Sequence, residues 1–417
     1  MTDTLPDTAT ESDSTAFPEG TVEPEYDLTK PLDPDAAELF VDISDEDRAY
    51  WMRTRAFVQD EVLPVIDAYW NRADYPLHLV HRMGELDLLR DGVDVEGYPA
   101  MSPLAAGLVN MEMSRGDGSM ATVVAVQGGL AMRSIALLGS DDQKTRWLGP
   151  LAAGTELGAF ALTEPTHGSD STSLETRAVT VPAGFRISGS KKWIGNGSVG
   201  GLTVVWARGD DNAVHGYLVE QDSSGYSAAP IENKTALRAI WQANIRMDGV
   251  FVPTESMLPD AKTFKDTSRV LLATRLSVAW SAVGHATACY ESAVSYAQQR
   301  IQFGRPLAHS QIVQERLSRM LSELTQIQLL AFRMTELDAV GRLTGEKAAL
   351  AKYTATRAAR SIAANARDLL GGNGLLLPNR VARHFADIEG IHTYEGTETI
   401  QALIIGRGIT GKSAFVG

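Results

Sequence analysis

Apolar residues change their spacing twice along this chain, and each change marks a different kind of structural layer. From about Asp45 to Gly149 they recur at helical intervals, as at Trp51, Phe57, Val58, Val62, Leu63 and Ile66, with turn signals at Asp74-Tyr75-Pro76 and Gly97-Tyr98-Pro99. Between about Ala178 and Pro253 short alternating or β-rich runs take over. These are Val179–Val181, Phe185–Ile187, Thr203–Ala207, Tyr217–Val219 and Asn244–Met247, separated by Gly, Asn and Asp. After Thr263 long helices return, and Val313, Leu317, Met320, Leu324, Ile327, Ala331 and Met334 repeat at alternating steps of four and three, the spacing of a bundle seam or a subunit interface. Ala348 to Leu370 is an Ala-rich helix that Gly371-Gly372 stops. The order predicts an α+β protein with an N-terminal α-helical domain over 31–158, a middle β domain over 159–262 and a C-terminal α-helical domain over 263–417.

With 417 residues the chain exceeds what one core supports. A single cysteine, Cys289, excludes a disulfide framework and any Cys-based zinc or iron–sulfur site, which points to a reducing compartment and a cytoplasmic location. The formal net charge of −14 repels phosphate backbones, so no nucleic-acid partner is expected. No uninterrupted apolar run reaches the length of a membrane span, no N-terminal stretch reads as a signal peptide, and no membrane partner is expected. Residues 1–30 are rich in Asp, Glu, Thr, Ser and Pro, the composition of a disordered acidic arm.

Two motifs mislead. Gly406-Arg-Gly-Ile-Thr-Gly411-Lys412-Ser413 spells a P-loop, yet no helix follows it, and Gly195-Asn-Gly197-Ser-Val-Gly200 spells a dinucleotide fingerprint but precedes the strand-like Leu202–Ala207.

The chemistry lies elsewhere, in Phe160-Ala-Leu-Thr-Glu-Pro165 with Gly168-Ser169-Asp170, in Leu370-Gly371-Gly372-Asn373-Gly374, and in Tyr394-Glu395-Gly396-Thr397. A carboxylate in an apolar, closed pocket has the raised pKa of a base able to take a proton beside a thioester. Hydride removal from the next carbon needs a cofactor. On residue chemistry alone, the simpler reading of Glu395 is a first-turn residue capping the helix Glu398 to Gly406.

In combination these motifs resemble the acyl-CoA dehydrogenase family, closest in pattern to its glutaryl-CoA dehydrogenase and plant short-chain acyl-CoA oxidase branch. The resemblance spans nearly all of the chain beyond the arm, and it reverses the order of the two readings of Glu395. It implies that Glu395 is the base and FAD the cofactor. It further implies that Phe160, Leu162, Thr163, Gly168 and Ser169 form a flavin-binding loop, and that Trp193, Ile194 and Gly195 pack on the isoalloxazine. Arg300, Phe303 and Gln311 resemble FAD contacts supplied by a neighbouring subunit, with Gly371 and Gly372 completing the set and Thr397 and Phe415 beside the base. Ser169, Arg275 and Gly396 match acyl-CoA contacts. Taken singly, each has a plainer reading as a turn, cap, core or solvated residue.

Two departures shape the substrate. Glutaryl-CoA dehydrogenases place an arginine in the helix after the acidic turn, whereas Gly118 to Val126 has no basic residue, so a dicarboxylyl chain lacks its partner and a short, neutral acyl-CoA is expected. Gly195 replaces a threonine found in many relatives, which predicts open space near the flavin and keeps a peroxide-forming oxidase as an alternative. The resemblance otherwise implies an electron-transfer flavoprotein as electron acceptor and a homotetramer. A flavin-bearing scaffold that performs no dehydrogenation is the third reading.

Overall fold

The computed structural model of the protein describes residues 26–415. Its N-terminal region holds α1 (Asp45–Phe57), α2 (Ile66–Arg72), α3 (Leu77–Glu85), α4 (Pro103–Gly116), α5 (Gly118–Val124), α6 (Arg133–Leu138) and α7 (Asp141–Ala152). Ser44, Ser102, Asp117 and Ser140 cap α1, α4, α5 and α7 through their side chains. Between α5 and α6, Ala125–Met132 widens into a π-helix, so Gly118–Leu138 runs as one helical stretch. By length and composition that stretch is apolar enough to cross a membrane. Thr122, Gln127, Arg133 and Ser134 interrupt its apolar residues. Most of it is buried within the protein.

A seven-stranded sheet follows, comprising β1 (Gly158–Ala161), β2 (Arg177–Val181), β3 (Gly184–Gly195), β4 (Leu202–Arg208), β5 (Val214–Glu220), β6 (Tyr226–Pro230) and β7 (Gln242–Pro253). Strands run in the order β1-β4-β2-β3-β7-β6, with β5 on β4, and most neighbours are antiparallel. Strand β1 lies parallel to β4 and holds Phe160, and the loop that begins at Leu162 follows it directly. The fingerprint-like glycines form the β3–β4 turn, as a strand after them requires.

The C-terminal region contains α8 (Phe264–Gln299), α9 (Gln311–Ala339), α10 (Gly345–Leu369), α11 (Val381–Thr393) and α12 (Glu398–Thr410). Within the heptad stripe, Met320, Leu324, Ile327, Ala331 and Met334 are buried in the main core, which α8, α10 and α4 share. The P-loop-like segment is the end of α12, with Gly411 as its left-handed C-cap at φ 66°.

Two of residues 26–30, which composition assigns to the disordered arm, are instead packed into the core. Tyr26 and Leu28 are buried, because the Leu28 carbonyl accepts from Arg380 Nη1 at 2.9 Å and Tyr26 stacks edge-on against Tyr296. The N–H groups of Leu32 and Asp33 then donate to Glu291 Oε1 at 2.8 and 3.1 Å. The rest of the expected arm, residues 1–25, lies outside the described residues.

Candidate active site

Helix α12 starts at Thr397, whose hydroxyl accepts from the Ile400 N–H. The capping role open to Glu395 is therefore filled by its neighbour, and Glu395 turns its carboxyl toward α8. There its Oε2 accepts from Thr274 Oγ1 at 2.6 Å. Glu395 itself adopts φ 51°, a left-handed conformation that costs a non-glycine residue roughly 1–2 kcal/mol. Two buried side chains hold this turn. Lys352 Nζ, from α10, donates to the carbonyls of Tyr394 and Gly396, and Gln401 Nε2 donates to those of Glu395 and Gly396 at 3.1 and 3.0 Å.

Electrostatics follow from that arrangement. Removal from water raises the Glu395 carboxyl above its ordinary range, and the nearby Asp91 charge adds to the rise. The Thr274 hydroxyl and the Lys352 and Arg275 cations oppose it without prevailing. Burial drives Lys352 the other way, toward the neutral amine. Because Lys352 directs its N–H bonds to backbone carbonyls, it fixes the turn without forming a hydrogen bond to the Glu395 carboxylate. Arg275, also on α8, has its pKa lowered by burial, and its Nε is buried with no hydrogen-bond partner among the described residues.

A second group assembles on the sheet. Phe160 and Leu162 are buried, and the Thr163 carbonyl accepts from the Lys192 N–H at 2.9 Å. Strand β3 shifts register between Lys191 and Ile194, and this bulge, with Trp193 at φ 65°, turns the Trp193 ring outward so that it is 53% exposed beside the loop. Ile194 and Gly195 stay buried. Gly195 does not border open space, contrary to expectation. A Cβ added there would stand 2.8 Å from Val126 Cγ2, so the π-helical segment fills the volume a threonine would need. Gly168 and Ser169 are exposed, and a Cβ on Gly168 would meet nothing within 4 Å.

The third group is remote within one chain. Arg300 follows α8 and its Nη1 donates to Tyr26 Oη at 3.0 Å. Phe303 is wholly exposed at φ 50°, and Gln311 is exposed at the start of α9. Gly371 and Gly372 are exposed, with open space beyond each, and neighbouring Asn373 Nδ2 donates to Tyr296 Oη at 3.0 Å near this end of α8. At 1.5 Å per residue Thr274 and the C-terminal end of α8, Gln299, stand roughly 38 Å apart. Arg300, Phe303, Gln311, Gly371 and Gly372 therefore do not meet Glu395 of their own chain. Thr397 does adjoin it, and Phe415 is 40% exposed just beyond α12.

Sequence reasoning did not assign functional roles to Thr274, Lys352, Gln401, Asp91 or Val126. Lys352 carried a readable signal, since it sits among Ala348, Ala351, Ala355 and Ala359 on the buried face of α10. The others are ordinary in sequence and acquire their roles through packing.

An uncovered aromatic ring, glycine-lined open backbone and a buried, unpartnered guanidinium nitrogen suit a large planar cofactor and an anionic ligand. Family models match the chain as the acyl-CoA dehydrogenase N-terminal domain at residues 44–155, middle domain at 159–250 and C-terminal domain at 264–410. The chain is 32% identical over 357 residues to the mitochondrial short-chain specific acyl-CoA dehydrogenase of Bos taurus, spanning 84% of this chain and 87% of that one. A glutaryl-CoA dehydrogenase from Mycobacterium smegmatis in complex with FADH2 superimposes with a TM-score of 0.89 at 34% identity, over 92% of this chain and 98% of the other. Butyryl-CoA dehydrogenase from Megasphaera elsdenii gives 0.84 at 27% identity, over 88% and 98%.

Proposed function

The chain belongs to the acyl-CoA dehydrogenase family, and from that premise we propose that it converts a short, neutral acyl-CoA to the trans-2-enoyl-CoA with Glu395 as base. The observation that carries this reading is the Glu395 carboxyl, which receives one side-chain hydrogen bond and has a raised pKa while the neighbouring lysine binds backbone instead. A carboxylate shifted upward in this way is a stronger base than an ordinary one. FAD, when bound, supplies the hydride acceptor that no side chain provides. Leu162, Thr163, Gly168, Ser169, Trp193 and Ile194 would hold it from one chain. Arg300, Phe303, Gln311, Gly371 and Gly372 would reach it from a neighbouring copy, so the site would need at least two copies, within the homotetramer that the family resemblance implies. The Glu395 N–H would polarise the thioester carbonyl, and Arg275 would meet the acyl-CoA.

A short chain fits the relatives named for short-chain and butyryl substrates. Glutaryl is disfavoured, because Gly118–Val126 has no cation and Arg133, farther along the same helical stretch, is engaged with Asp91. The contact of a Gly195 Cβ with Val126 weighs against one motive for the oxidase alternative, the open space beside Gly195, while the resemblance to plant short-chain acyl-CoA oxidases keeps that alternative as the second reading. Electrons would pass onward to an electron-transfer flavoprotein.

Anaerobic titration of the yellow holoenzyme with butyryl-CoA and isobutyryl-CoA tests the reading. Bleaching of the oxidised flavin band that persists after air is admitted is expected. No bleaching, or rapid reversal with peroxide, would overturn it.

A further inference from the structure

Residues 26–33 are tied to the C-terminal part of α8 at several points. The Asp27 N–H donates to Gln299 Oε1 at 3.3 Å, and Gln299 Nε2 returns a bond to the Asp27 carbonyl at 3.0 Å. About two turns back along the helix, the buried Glu291 carboxylate accepts from Leu32 and Asp33, and from Arg115 Nε at 2.8 Å. Asp33 then pairs with Arg55 of α1 at 2.7 and 2.9 Å.

Tyr26 begins this segment. Its buried ring packs edge-on against Tyr296 with centroids 4.9 Å apart, and its hydroxyl accepts from Arg300 Nη1 at 3.0 Å. Tyr296 Oη in turn accepts from Asn373 Nδ2 at 3.0 Å, and Asn373 directly follows Gly371-Gly372. One buried aromatic side chain therefore abuts two of the elements that would reach the flavin of a neighbouring copy. It meets Arg300 directly and the paired glycines through Tyr296.

Arg300 lies just past the last residue of α8, and Gly371 and Gly372 carry no side chain with which to anchor themselves. A long cation that must be ordered by its ligand gives up rotamer freedom on binding, which weakens affinity. A bond already present in the free chain removes part of that loss. Because a guanidinium is a rigid plane, fixing one nitrogen orients its other N–H groups together.

We propose that Tyr26 is a positioning residue for FAD binding across subunits. Its hydroxyl presets the Arg300 guanidinium, and its ring braces Tyr296 and so the Gly371-Gly372 segment, before the cofactor of a neighbouring copy arrives. This inference rests on the reading above that Arg300 contacts FAD, and it adds to that site a residue 274 positions away in the chain.

The test is the FAD dissociation constant of the full chain, read from the rise in free-flavin fluorescence on dilution of the holoenzyme. Parent, Tyr26→Phe, Arg300→Met and the double variant are compared. Tyr26→Phe keeps the ring and its packing and removes only the hydroxyl. It is expected to weaken FAD binding about fivefold, the worth of one net hydrogen bond, and Arg300→Met at least as much. The double variant should bind FAD no more weakly than Arg300→Met alone, because the hydroxyl acts through the guanidinium. A purely structural Tyr26 would instead weaken binding in both backgrounds. Parental affinity in Tyr26→Phe, or losses that multiply in the double variant, would overturn the positioning role. Unchanged affinity in Arg300→Met would remove the reading on which the inference rests, and the inference with it.

Discussion

Glu164 and Glu395 each sit beside a buried lysine, yet they differ in what else reaches their oxygens. Glu164 accepts from Lys191 Nζ at 2.9 Å, from the N–H groups of Thr176 and Glu175 at 2.9 and 2.6 Å, and from the Thr176 hydroxyl. Burial alone would raise its pKa, but the Lys191 charge and these bonds hold it below the ordinary carboxylate range. Glu395 receives one side-chain bond from Thr274, and its neighbouring lysine donates to the main chain instead. Its pKa is raised. Proximity to a cation thus does not decide the direction in which a buried carboxylate's pKa moves. The number of donors that solvate the ionised form decides it.

The largest effect that sharpens this contrast is on turnover. Glu395→Gln should slow anaerobic flavin reduction by at least about a thousandfold while leaving flavin content unchanged, because the group that takes the proton is gone. A rate close to that of the parent would break the assignment. Glu164→Gln should act on stability instead, at about 3–5 kcal/mol by denaturant titration, since Lys191 is left buried without its counter-ion.

Lys352→Met removes the donor to two carbonyls of the strained turn, and a fall of roughly ten- to a hundredfold in kcat is expected from about 1–3 kcal/mol of lost support. The same substitution withdraws a positive charge that lowers the Glu395 pKa. Glu395 must be ionised in the free enzyme, so kcat/KM rises as pH increases through its pKa. The acidic limb of the profile should therefore move to higher pH. Thr274→Val should move that limb in the same direction with a loss of about fivefold, the worth of one hydrogen bond. A limb that stays in place in both variants would show that another group titrates.

The three-part fold was legible because the period of the apolar residues changes where the layers change. The chain resists such reading where elements are short or plain. Gly158–Ala161 offers no alternation and Tyr226–Pro230 is mostly small residues, yet both become strands through pairing with β4 and β7. Glu395 was legible by resemblance alone, since its surroundings come from Thr274 on α8 and Lys352 on α10. Gly195 shows the opposite difficulty. The missing threonine suggested room, but Val126 from a different domain occupies it, and a deletion on one side of an interface is not readable without the other side.

The bond between the Leu28 carbonyl and Arg380 joins positions 352 residues apart. Chains emerge from the ribosome at about 5–20 residues per second, so Leu28 waits roughly 20 to 70 s for its partner to be made. Throughout that interval Tyr26 and Leu28 are apolar groups without their final cover. The strap that closes the finished protein is thus among the first of the described segments to be synthesised and among the last to be secured, which makes it a natural target for chaperones during translation.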